Sequence, residues 1–247
     1  IYTSNQADII YLNISSFESL NASSPDYTDI YHVLAHEYQH LINFSQRYRQ
    51  YEADNNDSHI NQSFSTWIEE GIAEGTTPYL TNNDVTLSSY FSSSLANTSI
   101  LNGLGLFSWN SSFYDYVLSF TFLEYCRIQS NQTQNFYSTL MNNFTQSNTY
   151  PAVYSIIQSA DSTLFSDIND VVLSYRIANL INDSSGKYGY QNNYSMATLS
   201  SPSTTSPSIE PGGAIYYTSS VSNNYNSFIP ADVGDNIYYY RINDSGD

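Results

Sequence analysis

The feature that most limits what this chain can become is a pair of histidines four residues apart, His36 and His40, inside the run His36-Glu37-Tyr38-Gln39-His40. The surrounding segment is apolar-periodic from Ser24-Pro25-Asp26, which reads as a helix start, through about Tyr48. On a helix, positions i and i+4 lie about 40° apart and one turn above each other. That spacing aims two imidazoles at one ion and leaves Glu37 on the same general side, close enough to work there and free to take a proton. All four histidines fall between residues 32 and 59, which favours a built cluster over scatter.

Two imidazoles do not complete a catalytic metal site, which wants three protein ligands and one open position. A third histidine six residues after His40, with a glycine midway, would be one solution, but Asn43 and Gln46 stand there. The other source is a second helix, SFSTWIEEGIAEG, which the sequence predicts to stop at Gly75 and Pro78. It offers Glu69, Glu70 and Glu74 beside an apolar Trp–Ile stripe. Glu69 and Glu70 are about 100° apart, so one of them faces the ion. Thr66-x-x-Glu69 forms a capping-box pattern that occupies Glu69. Glu70 is therefore the expected ligand. Glu74, one turn on, is expected to accept the other ring N–H of a ligand histidine and fix its tautomer. Gly71 beside them permits a close helix–helix approach.

Between these helices, residues 49–62 are polar and aperiodic and read as a loop. Further helices are expected over 111–129, 133–146, 151–159 and about 164–182. Residues 8–14 (DIIYLNI) read as a strand, and SSPSTTSPS at 200–208 as a linker. The Tyr- and Ile-rich runs AIYYTSS, NSFIP and NIYYYRI beyond it read as a β-rich tail.

Composition narrows the function classes. Over 247 residues, 6 Lys and Arg against 23 Asp and Glu give a net charge of −17 and leave nothing to neutralise phosphates, so nucleic acid is excluded as a partner. Charged residues are only 12%, so Asn, Ser, Thr and Tyr must solvate the surface. No stretch reaches the ~18 apolar residues of a membrane span. One cysteine, Cys126, forms no internal disulfide and reads as a small buried hydrophobe. His32 and His59 read as solvated. Oligomeric state is not legible.

H-E-x-x-H followed by W-x-x-E-G-x-A-E resembles the gluzincin metallopeptidases, the clan of thermolysin and the zinc aminopeptidases. AHEYQHLINF at 35–44 with WIEEGIAE at 67–74 is similar to the hyicolysin-type peptidases. The aromatic helix around 114–125, SYRIANLIND at 174–183 and KYGYQN at 187–192 extend the likeness over about residues 8–195.

The resemblance implies Zn2+ held by His36, His40 and Glu70, with Glu37 as general base on the zinc-bound water. It implies a Tyr or His that donates to the substrate carbonyl oxygen, for which Tyr116 is the candidate and Tyr114 the second. The Gly-x-Met-Glu-Asn motif of the aminopeptidases is absent before His36, so an endopeptidase acting on protein or peptide substrates is expected. Extracellular or cell-surface placement is expected from the low lysine content, the polar neutral surface and the resemblance. A metal-binding module of the same fold that does not cleave is the alternative, and the presence of Glu37 speaks against it.

The fold class expected is α+β: a mainly helical zincin-like catalytic domain over 1–198, a linker at 199–208, and a small β-rich C-terminal segment over 209–247. Only one clear strand precedes His36, where the family places a multi-stranded sheet. N-terminal sequence is therefore expected to be missing.

Overall fold

The computed structural model describes residues 28–54, 66–81, 103–107, 109–110, 112–131, 135–142, 149–194, 208–216, 237–238 and 240. Within them the chain forms six helices: α1 (Thr28–Asp54), α2 (Thr66–Thr81), α3 (Phe113–Gln129), α4 (Asn135–Met141), α5 (Thr149–Ala160) and α6 (Ile168–Ile181).

The centre is α3. Its residues 117–126 are all buried, as in a helix enclosed by others, and the polar ones among them find partners inside. Ser112 and Asp115 fasten its start: the Ser112 backbone N–H and Oγ both donate to Asp115 Oδ2, at 2.8 and 3.0 Å. Around it Phe120, Phe122, Leu123, Ile68, Ile72, Phe136, Val153 and Tyr175 close one continuous core.

Much of the bulk is tyrosine, and each buried ring that enters this core brings a hydroxyl that needs a partner. Tyr125 donates to the Lys187 carbonyl (2.6 Å), Tyr190 to Asn179 Oδ1 (2.5 Å), and Tyr175 shares a bond with Thr121 Oγ1 (2.7 Å). Cys126 is fully buried, as its reading as a small hydrophobe requires.

Helix α2 lies between α1 and α3 and shows a different side to each. Toward α3 it presents Gly71, where an added Cβ would sit 2.8 Å from Leu123 Cδ1 and 2.9 Å from the Ser119 carbonyl oxygen. Gly75 is likewise filled from outside, by the Tyr137 hydroxyl. This explains why α2 does not stop where the sequence suggests. Gly75 makes room for a tyrosine, and the helix runs on through Pro78 to Thr81. Thr76 and Thr77 hydroxyls bond back to Ile72 and Ala73 carbonyls at 2.8 Å on the way. Helix α1 also outruns its expected end, reaching Asp54 through RQYEAD. Those residues lack periodicity, but most of them are good helix formers.

The α+β expectation does not hold. Among the described residues there are helices, turns and extended coil, and no strand. The strand expected at 8–14, residues 199–207 of the linker, and most of the three runs assigned to a β tail lie outside the described residues. Where the tail is described, at 208–216, its polar groups are committed elsewhere. The Glu210 N–H donates to the Gly103 carbonyl (2.9 Å), the Gly212 carbonyl accepts from Arg176, and the Tyr216 hydroxyl donates to the Arg176 carbonyl (2.7 Å). Strand-forming composition does not make a ladder when the backbone is bonded across to loops and a side chain.

Candidate metal centre

The site is the seam between α1 and α2. On α1, Ala35, Gln39 and Asn43 are buried at successive i, i+4 positions, while Glu37 and Tyr38 are exposed. The seam is held by polar bonds. Across it the Thr76 hydroxyl donates to Gln39 Oε1 (3.4 Å), and Gln39 Nε2 reaches past α2 to donate to Met141 Sδ on α4 (2.9 Å). His36 and His40 flank this buried stripe.

The two Nε2 atoms are 3.1 Å apart, and Glu70 Oε2 lies 3.0 Å from that of His36 and 3.3 Å from that of His40. This buried oxygen makes no well-directed hydrogen bond. The two imidazoles bond to each other, and all three donor atoms converge on one small space. Bonds of about 2.0–2.1 Å in a tetrahedron imply ligand–ligand edges of about 3.3 Å, and the triangle matches. His36, His40 and Glu70 fit a small tetrahedral cation.

The outward nitrogens each face a further carboxylate. His36 Nδ1 is 3.1 Å from Glu74 Oε1, and His40 Nδ1 is 3.3 Å from Glu69 Oε1. Glu69 thus faces the histidines together with Glu70, contrary to the capping pattern, because α2 begins at Thr66 itself. Its Oε1 also accepts from Asn43 Nδ2 at 2.9 Å. His32, expected in solvent, has its Nε2 3.4 Å from Glu74 Oε2. Along the seam imidazole and carboxylate alternate: Glu69, His40, Glu70, His36, Glu74, His32. From sequence Glu69 is assigned to the helix start, and Asn43 is given no role at the site. The available signals were the i+3 spacing of Asn43 from His40 and the adjacency of Glu69 to Glu70.

Without a cation these charges hold one another. Burial is the largest influence on His36 and opposes its charged form, but Glu70 and Glu74 outweigh it and raise the pKa to about 9. His40, opposed in the same way by burial and held by Glu69 and Glu70, rises to about 10. Burial pushes Glu70 and Glu74 upward. The histidines facing each prevail and bring both down to about 2.

Tyr116 stands at the edge of the cluster, its ring centroid 6.3 Å from that of His36. Trp109 packs edge-on against it at 4.9 Å. Burial, then the negative charge of Glu70, Glu74 and Glu37, raises the Tyr116 phenol pKa. Tyr114 is about 200° away around α3. His59 lies outside the described residues.

No family model matches the chain. Over 97% of its length, however, it aligns at 22% identity with neutral metalloprotease ShpI of Staphylococcus hyicus. That relative is a metalloprotease. The chain spans about half of the relative's length, 52%. No described helix is long and apolar enough to cross a membrane.

Proposed function

We propose that this chain carries the catalytic unit of a zinc-dependent endopeptidase of the gluzincin type, acting on peptide bonds of proteins outside the cell. The observation that carries the reading is the triangle of His36 Nε2, His40 Nε2 and Glu70 Oε2, with edges of 3.0–3.3 Å, beside an exposed Glu37. Likeness to a metalloprotease along nearly the whole chain supports it. Residues 1–198 would form the catalytic unit, with 209–247 appended.

In this reading His36, His40 and Glu70 hold the ion, and Glu74 and Glu69 fix the two imidazoles by accepting from their Nδ1 atoms. A bound zinc ion supplies Lewis acidity and brings the pKa of a water to about 7. Glu37 accepts the proton of the attacking water and returns it to the departing amine. Tyr116 directs its hydroxyl at the carbonyl oxygen as negative charge develops there.

Glu37→Gln tests the reading. The variant should bind zinc with unchanged stoichiometry and lose about 10²–10⁴-fold in chelator-sensitive cleavage of an unfolded protein. Full proteolysis by this variant would remove the mechanism. Zinc binding without any cleavage by the unsubstituted chain would favour the non-cleaving module.

A further inference from the structure

We propose that segment 208–216, clamped by Arg176, belongs to the frame of the active site: it fixes segment 103–107, next to residues 109–110, from which Trp109 holds Tyr116 beside His36. The inference rests on the reading of Tyr116 given above. It assigns a task to a stretch that the sequence presents as an appendage.

Two short segments distant in sequence, 103–107 and 208–213, lie against each other with no space between them. Gly103 and Gly212 both have positive φ, 72° and 74°. A Cβ on Gly103 would run into the Ser208 carbonyl, and one on Gly212 would meet the Phe107 ring at 3.0 Å. The Glu210 N–H donates to the Gly103 carbonyl (2.9 Å), and the Gly105 N–H donates to Glu210 Oε2 (2.9 Å).

One guanidinium spans both. Arg176, buried on α6 at 5% exposure, donates from Nε and Nη2 to the Gly212 carbonyl at 3.0 and 2.6 Å. Its Nη2 also donates to the Leu104 carbonyl at 3.1 Å. A planar, permanently charged fork suits this bridging, and an ammonium would not reproduce it.

Residues 109–110 are tied as well, because the Asn110 N–H donates to Asp115 Oδ2 at 3.0 Å, in the first turn of α3. Trp109 is therefore suspended between two anchors, one on α3 and one on the Arg176 clamp. Its ring packs edge-on against that of Tyr116, and this contact is the proposed route to the phenol. Arg176 touches neither metal ligand nor substrate. It is a positioning residue, and its effect should pass through Tyr116.

The test uses the full chain with Arg176→Gln and, independently, Gly212→Ala, which leaves the buried guanidinium in place should the first variant fail to fold. Both should keep zinc stoichiometry and lose about 10-fold to about 100-fold in kcat on unfolded casein, the scale of a misplacement near 1 Å. In a Tyr116→Phe background the same substitutions should cost less than about twofold further, since coupled residues are not additive. In protein labelled with 5-fluorotryptophan, the 19F resonance assigned by Trp109→Phe should shift in both variants, with or without metal.

Equal losses in both backgrounds, or an unmoved Trp109 resonance, would overturn the proposal. So would full activity of Tyr116→Phe. Failure of the unsubstituted chain to bind zinc or cleave would instead strike the underlying reading, and the fluorine shift would still report whether the clamp positions Trp109.

Discussion

Two glutamates in neighbouring helices have opposite lives. Glu124 on α3, 1% exposed, is fully engaged: Arg127 donates to it from Nε and Nη2 at 2.9–3.1 Å, Tyr194 donates at 2.7 Å, and the Tyr137 hydroxyl donates as well. Glu70 on α2 sits at ion-pair distance from two imidazoles, yet its Oε2 accepts no well-directed bond. Burying an unsatisfied carboxylate oxygen is costly. In the proposed reading, the oxygen left short on Glu70 is the one a cation would take. The contrast separates what holds α3, α4 and Tyr194 together from what waits at the α1–α2 seam.

Glu70→Ala should sharpen that contrast most. Removing one of three ligands should weaken zinc binding by more than the about 10–100-fold that an outer partner costs, read by competition with a chromogenic chelator. Thermal stability of the metal-free protein should fall as well, by the share that Glu70 contributes in holding His36 and His40. A variant that keeps full affinity would break the comparison at its root.

Protons come next. In the metal-free protein His36 and His40 are raised to about 9 and about 10, so a cation must displace up to two protons at neutral pH. Affinity should then climb up to about a hundredfold per pH unit between pH 6 and 8, with proton release measurable by calorimetry in buffers of different ionisation enthalpy. The same shifts fix the sign for stability without metal. The histidine contribution is fully present below about pH 6.5 and is lost as pH rises through 9 and 10. The contribution of Glu70 and Glu74, lowered to about 2, is present above about pH 4.5 and is lost as pH falls toward 2. Melting temperature of the metal-free protein should therefore decline on the alkaline side, as a pH series of thermal scans would record.

Glu124→Gln should contrast with Glu70→Ala. Breaking one partner out of a buried pair costs about 3–5 kcal/mol, on the order of 10 °C in Tm for a chain of this size. Activity per folded molecule should stay unchanged. Smallest is Glu69→Gln, which keeps the shape but loses the charge held against His40: about tenfold in zinc affinity, with little change in melting temperature.

The sequence made the ligand geometry legible because a four-residue interval on a helix is a geometric statement by itself. His36, His40 and Glu70 meet as that interval and the second helix suggest. Less legible was anything decided by what lies opposite. Glu69 was assigned to its own helix start because a local capping rule fits it, while Asn43 and His40 on another helix claim its oxygen. Gly75 resembles a terminator, yet its missing side chain serves the Tyr137 ring. Tyr- and Ile-rich runs near the C-terminus have strand composition, but at 208–216 they answer to Arg176 and Gly103. Local propensity misleads where tertiary partners outbid it.

Gly71 has a consequence on the opposite side of its own helix. With no side chain there, α2 settles until the Ser119 carbonyl and Leu123 halt it, and that depth decides how far Glu69, Glu70 and Glu74 extend toward the imidazoles. The width of the His36–His40–Glu70 triangle is thus gauged from behind, by a backbone stop in the hydrophobic interior, and a single methyl group at this position would narrow it without touching any residue that lines it.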